Sequence, residues 1–371
     1  VAMVPPLQAP TRLLFGPGPS PVHPRVYEAM RQPIVGHLDP FFFQVNEEIR
    51  GGLKQCFGTA NDFTTVISGT GSAGLEAAMV NLLEPGDKAI ICVHGVFGQR
   101  LTEVARRYGA EVITVEATWG QPIDVNQLID TLKANPDAKL CAIVHAETST
   151  GVRQPLEELG AYLRDKTTLF VVDAVTSLGG IPVKVDEWGI DCCYSGTQKC
   201  LSVPPGLSPI TFSDKALAAI SARKTKVQNW YLDVTLLQKY WGNSERVYHH
   251  TAPITMIYGI YEGLRIIAEE GLENRWARHQ RVSDILCQGL SELGFTFFAQ
   301  EGYRLPELIA VFPPVADQVE PLRKRLLNEY NIEVGAGLGP VAGKIWRIGL
   351  MGETCEPRSV SRLLDALRRL L

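Results

Sequence analysis

Asp173 closes the apolar run "TLFVVDA", and Lys199 sits in the small-residue, proline-rich turn "SGTQKCLSVPPG". An unpaired carboxylate at the end of a buried strand is costly, so Asp173 requires a cationic partner. A lysine directly after the strand "DCCY", with few charges nearby in sequence, is placed to have a lowered pKa and to act as an amine nucleophile. Taken singly, each is better read as half of an ordinary salt bridge, if need be with the other. A third feature changes the weighing. Gly69, Gly71 and Gly74 in "VISGTGSAGLEAAM" spell G-x-G-x-x-G between an apolar strand and a helix, whose first N–H groups attract phosphate. A dinucleotide site also needs an acid about 20 residues on, at the end of the next strand. Here that strand, "KAIICVHG", ends in Val93 and His94. The glycines therefore read as a phosphate cradle, with an NAD-dependent dehydrogenase as the minority reading.

From Thr64 to about Ser213 short apolar runs ("TTVIS", "KAIICV", "EVITVE", "KLCAIVHA", "TLFVVDA", "DCCYSG", "SPITFS") alternate with helical patterns such as "GLEAAMVNLL" and "GQRLTEVARRYG". Strand, helix, strand at this spacing predicts crossover units and a mostly parallel sheet, with ligands at the carboxyl ends of its strands. The last two runs are too close for a helix between them, so one strand there runs antiparallel. A long helical pattern from Pro253 leads into "FTFFA", "ELIAVF", the helix "VEPLRKRLLNEY" and "KIWRIGLMG", a smaller α+β part. The expected division is an arm at 1–10, a large domain at 11–270 and a small domain at 271–371.

A lysine for an aldehyde, an acid for a pyridine nitrogen and a helix N-terminus for a phosphate are together the needs of pyridoxal 5'-phosphate. The sequence resembles the class V aminotransferases of fold type I, in the alanine-glyoxylate and serine-pyruvate branch. The resemblance runs through "LLFGPGPS", "VISGTGSAGLEAAMVNLLEPGD", "ETSTGV", "VDAVTSLGGIPV", "YSGTQKCLSVPPGLSPITFSDKA", "YHHTAP" and "GLGPVAGKIWRIGLMG", nearly the whole chain. It implies an α/β fold with a mostly parallel seven-stranded sheet, helices on both faces, and the smaller C-terminal domain.

It also implies roles. Lys199 matches the lysine that binds the cofactor aldehyde and moves the proton between substrate Cα and cofactor. Asp173 matches the acid on the pyridine nitrogen, and Val175 the apolar residue against one ring face. Thr70, Gly71, Ser72 and Gln198 match phosphate ligands. Thr148 stands where the family has a serine near the ring, a mild change because either hydroxyl can donate. Phe97 stands where close relatives stack a tryptophan on the ring; it offers less area and no N–H. Tyr248 and Thr251 match residues given to the phosphate of the neighbouring subunit, which makes the expected assembly a homodimer with shared active sites. His249 and His250 alone are a weak metal signal, and no metal is expected. Arg347, among apolar neighbours, matches the arginine that grips the substrate carboxylate, a bidentate task; without the resemblance an edge-strand salt bridge serves equally well.

Together these imply transamination of L-alanine with glyoxylate to pyruvate and glycine. Serine or 3-hydroxykynurenine are the rival donors, a cysteine desulfurase is disfavoured, and an inactive scaffold would have no use for Lys199, Asp173 and Arg347 together. Composition agrees with a small-molecule enzyme. The 371 residues exceed the roughly 250–300 at which a single core stops growing. A formal net charge of -4 with mixed charges gives no nucleic-acid face, and no stretch reaches the about 20 uncharged residues of a membrane span. The eight cysteines lie mostly in apolar runs without a C-x-x-C pair, which suits buried thiols in a reducing compartment. The cytoplasm is the expected location, and the Pro-rich start is expected to lie across a partner subunit.

Overall fold

The computed structural model describes residues 4–241 and 247–371; residues 1–3 of the expected arm lie outside them. In chain order the strands are β1 (Leu13–Phe15), β2 (Phe63–Ser68), β3 (Lys88–Val93), β4 (Glu111–Glu116), β5 (Leu140–Val144), β6 (Ala146–Glu147), β7 (Val152–Arg153), β8 (Leu169–Asp173), β9 (Cys192–Tyr194), β10 (Leu207–Phe212), β11 (Thr296–Phe297), β12 (Leu308–Phe312), β13 (Ile332–Ala336) and β14 (Trp346–Gly349). The main sheet has seven strands in the order β2-β10-β9-β8-β5-β3-β4. The β3, β4, β5, β8 and β9 pairings are parallel, and β10 runs antiparallel to both β9 and β2. The connection from β9 to β10 contains no helix, so the chain turns back instead of crossing over.

Every residue of β5 ("LCAIV") and β8 ("LFVVD") is buried. Successive side chains point to opposite faces, so both faces of the sheet are covered. Among the covering helices are α1 (Pro24–Met30), α2 (Pro40–Phe57), α3 (Gly71–Leu82), α4 (Val96–Arg107), α5 (Val125–Ala134), α6 (Glu157–Leu163) and α7 (Asp214–Ser221), with α8 (Val234–Trp241) following. α3 packs on β9 and β10, and α4 on β3 and β5. Both helices begin at the carboxyl edge of the sheet, which brings their first turns beside the ends of β5, β8 and β9.

The single long helical pattern expected after Pro253 is two helices, α9 (Ile254–Glu270) and α10 (Leu272–Glu292), broken at Gly271. Gly271 has φ +81, a left-handed conformation that glycine reaches without a Cβ penalty. Beyond it, a five-stranded sheet (β1-β13-β14-β12-β11) packs with α10, α11 (Val319–Tyr330) and α12 (Pro357–Leu370) around a second core containing Trp346, Val282 and Leu363. β1 pairs in parallel with β13, and Phe15 belongs to this second core. The N-terminal strand thus crosses to the C-terminal sheet, and in doing so carries the segment "GPGPS" past the ends of the main sheet.

Candidate active site

The turn from Tyr194 to Leu207 is held by its own small hydroxyl residues. Ser195 Oγ donates to Ala174 O (2.9 Å), Ser208 Oγ to Ser195 O (2.6 Å), and Thr197 Oγ1 to Pro204 O (2.8 Å). Ser20, from the crossing N-terminal segment, donates its N–H to Gln198 O (2.8 Å) and its hydroxyl to Lys199 O (2.7 Å). The backbone of Lys199 is therefore fixed from two directions, and its side chain enters a cavity of about 240 Å³. Thr70, Gly71, Ser72, Phe97, Thr148, Asp173, Val175 and Gln198 line the same cavity. Nine of the twelve expected site residues therefore meet at one place.

Lys199 Nζ donates to the carbonyl of Pro17. Burial, then the nearby Arg347 guanidinium, lower its pKa from 10.5 to about 8, so a neutral amine is accessible near physiological pH. Gly18 leaves the lysine its space: a Cβ there would lie 2.6 Å from Nζ.

Asp173 differs from its expected pairing. No cation lies within ion-pair distance of it among the described residues. Its Oδ1 accepts the Val175 N–H (2.9 Å) and its Oδ2 the Tyr194 hydroxyl (2.8 Å). Tyr194 stands directly across from it in the β8–β9 register, a relation that only the sheet creates. Burial raises the Asp173 pKa, while these two bonds oppose that. Asp173 lines the cavity and keeps acceptor capacity beyond these two bonds.

At the phosphate cradle, Thr70 is the N-cap of α3 but supplies no side-chain cap. The first N–H groups of such a helix lack intrahelical partners. Gln198 Oε1 is buried without a hydrogen-bond partner. Gly71 lies close against Val175; a Cβ on it would come 3.0 Å from Val175 Cγ2.

Arg347 is in β14, an interior strand, and makes no salt bridge among the described residues, unlike the edge-strand reading. Its Nε donates to Ala336 O (2.7 Å) and one Nη to Thr148 O (3.4 Å), so it reaches the cavity wall through Thr148. Burial lowers its pKa to about 10, opposed by the charge of Glu147. Tyr248 and Thr251 are exposed and do not line this cavity. His249 stacks on Trp230 (4.4 Å between ring centroids) and His250 meets Ser68 Oγ (3.0 Å), so both are engaged in packing.

Sequence reasoning missed Tyr194, Glu147, Arg100 and the "GPGPS" segment as parts of the site. Arg100 lines the cavity with its guanidinium 5.0 Å from the Phe97 ring centre, and its place three residues after Phe97 on a helix was a usable signal.

The family model for Aminotransferase class-V matches residues 13–351. The alanine–glyoxylate aminotransferase of Rattus norvegicus is 40% identical, the match covering 100% of this chain and 90% of the relative. The (S)-ureidoglycine–glyoxylate transaminase of Bacillus subtilis is 39% identical over 98% of this chain and 92% of its own. Among solved structures, an alanine–glyoxylate aminotransferase from Nostoc sp. superposes with a TM-score of 0.97 at 49% identity, covering 100% of this chain and 97% of that one.

Proposed function

This chain belongs to the class V aminotransferases, and on that footing we propose that it is an alanine–glyoxylate aminotransferase that uses pyridoxal 5'-phosphate. The observation that carries the proposal is the meeting of Lys199, Asp173 and the uncapped start of α3 around one cavity. The donor set suits the cofactor: unpartnered Gln198 Oε1, free helix N–H groups and a half-satisfied buried carboxylate.

In this reading Thr70, Gly71, Ser72 and Gln198 hold the phosphate, while Phe97 and Val175 enclose the ring and Thr148 borders it. Asp173 would hold a proton on the pyridine nitrogen of the bound cofactor. Lys199 would hold the aldehyde and, as a free amine, would carry the proton between the substrate Cα and the cofactor; burial lowers its pKa to about 8, which suits a group that both takes and gives a proton. Arg347 orients the substrate carboxylate. Bound pyridoxal phosphate supplies the aldehyde and a ring that accepts the electron pair left at Cα. L-alanine leaves as pyruvate in one half-reaction, and glyoxylate leaves as glycine in the second, a ping-pong sequence.

Tyr248 and Thr251 serve the partner's phosphate in a homodimer, which accounts for their exposure here. The arm at 1–10 lies over the partner, 11–270 forms the large cofactor-binding domain and 271–371 the small one, with β1 joining the small domain's sheet. Substrates are amino acids and 2-oxo acids, and the cytoplasm is the proposed location. No helix among the described residues is long and apolar enough to cross a membrane.

The test is the visible absorbance of purified protein with pyridoxal phosphate, with L-alanine added and then glyoxylate. A band that alanine bleaches and glyoxylate restores, without cycling in Lys199→Ala, is the expected result. A protein that stays colourless overturns the cofactor. Serine, 3-hydroxykynurenine and ureidoglycine in place of alanine rank the donors, and the ureidoglycine arm is included because of the Bacillus relative.

A further inference from the structure

Glu147 has no role in the reading above, yet it is fully buried and its carboxylate meets four donors. Oε1 accepts the Ser149 N–H (3.1 Å) and hydroxyl (2.6 Å). Oε2 accepts the N–H groups of Phe97 (3.1 Å) and Gly98 (3.3 Å), both in the first turn of α4. The N-cap of α4 is Gly95, which has no side chain to offer. Ser149 Oγ accepts the Val96 N–H (2.9 Å), so three successive N–H groups at the start of the helix are held by residues about fifty positions away in the chain. Glycine at 95 has a steric cause: a Cβ there would lie 2.3 Å from Glu147 Cδ and 2.5 Å from Ser149 Oγ.

This cap is more than a helix stop, because of what it touches. Phe97 is the second residue of α4, lines the cavity, and receives one of the four bonds through its own N–H. Thr148, between the two capping residues, lines the cavity as well. A single short segment therefore sets the height and tilt of the ring-facing aromatic relative to the cavity wall.

We propose that Glu147, assisted by Ser149, is a positioning residue that fixes Phe97 against the cofactor ring by capping α4 from the β6–β7 hairpin. The proposal rests on the pyridoxal phosphate reading of the cavity. In Glu147→Gln the amide NH₂ replaces one acceptor oxygen and faces either the Phe97 and Gly98 N–H groups or the Ser149 N–H, donor against donor.

The experiment titrates pyridoxal phosphate into cofactor-free protein and follows circular dichroism of the bound cofactor. It compares wild type, Glu147→Gln, Ser149→Ala, Phe97→Ala and the Glu147→Gln/Phe97→Ala double variant. We expect the dissociation constant to rise about tenfold in Glu147→Gln and about threefold in Ser149→Ala. In the Phe97→Ala background the Glu147 substitution adds little, because the residue acts through the ring that is gone. Ser213→Ala, which removes the side-chain N-cap of α7 away from the cavity, reports what loss of a cap alone does, and it leaves the constant unchanged. Equal binding by wild type and Glu147→Gln, or full additivity in the double variant, overturns the proposal. If wild type itself binds no pyridoxal phosphate, the cofactor reading fails instead. Hydrogen exchange at the Phe97 and Gly98 amides then decides the cap: unchanged protection in Glu147→Gln overturns it, and lost protection upholds the positioning of Phe97.

Discussion

Glu307→Gln isolates one buried titratable group. Glu307 is fully buried just before β12, and neither carboxyl oxygen has a hydrogen-bond partner. Its Cβ lies 3.4 Å from the position a Cβ on Gly180 would take, and the Cys200 thiol borders the same spot. Burial raises its pKa from 4.5 to about 8, opposed by its own backbone N–H and then by the charge of Arg153. Between those two values the unfolded chain has released the proton that the folded chain keeps. The unfolded state then binds fewer protons, so stability falls as pH rises through this window, by about 1.4 kcal/mol per pH unit. Glutamine has nearly the same shape and no titration, so it removes the slope and adds a pH-independent offset for its buried amide. His94, His145 and His279 are buried with pKa values lowered to about 4, 3 and 3, and they act in the opposite sense: their stability contribution is lost as pH falls from 6.5. They are common to both proteins and cancel in the difference. The assay is urea unfolding of cofactor-free protein at pH 5, 6 and 7. The variant should gain about 2.7 kcal/mol on wild type across those two units. Parallel stability curves for the two proteins would refute the buried, protonated state of Glu307.

Gly18→Ala should fold yet lose cofactor retention, because its φ of +107 costs an alanine about 1–3 kcal/mol and the new Cβ displaces Lys199 Nζ; bound-cofactor absorbance at the wild-type level would contradict this. Phe97→Trp should tighten pyridoxal phosphate binding by about 0.5–1.5 kcal/mol through added stacking area, read as the dissociation constant, and weaker binding would argue against a ring-facing residue 97. Asp191→Ala should lower stability by about 2–3 kcal/mol in urea. It leaves the Phe170 N–H and Ser213 hydroxyl without their acceptor and removes the ion pair of Lys215, discounted because Lys215 is 34% exposed and keeps its bond to Thr168 O. Deleting residues 1–10 should weaken the proposed homodimer, measured by sedimentation at low concentration, where an unchanged profile would count against the arm.

Local pattern made much of this protein legible. The strand and helix alternation follows from apolar runs of fixed length, and the close spacing of "DCCY" and "SPITF" pointed to an antiparallel strand there, which the structure shows to be β10. Lys199, Asp173 and the glycine loop were legible because turn residues and strand ends mark themselves in composition. What stayed hidden depends on register and on long-range crossing. Tyr194 becomes the partner of Asp173 only when β8 and β9 align. β1 reaches the second sheet only by crossing the molecule, and this brings Pro17 and Gly18 to Lys199. Glu147 caps a helix about fifty residues away, an arrangement with no periodicity to detect. The sequence by itself determined most of the main sheet's elements and which residues are candidates for chemistry, because those depend on neighbours within a few positions. Tertiary structure alone decided which candidate groups share a cavity and what holds them still, because strand order, register and burial are properties of segments far apart in the chain.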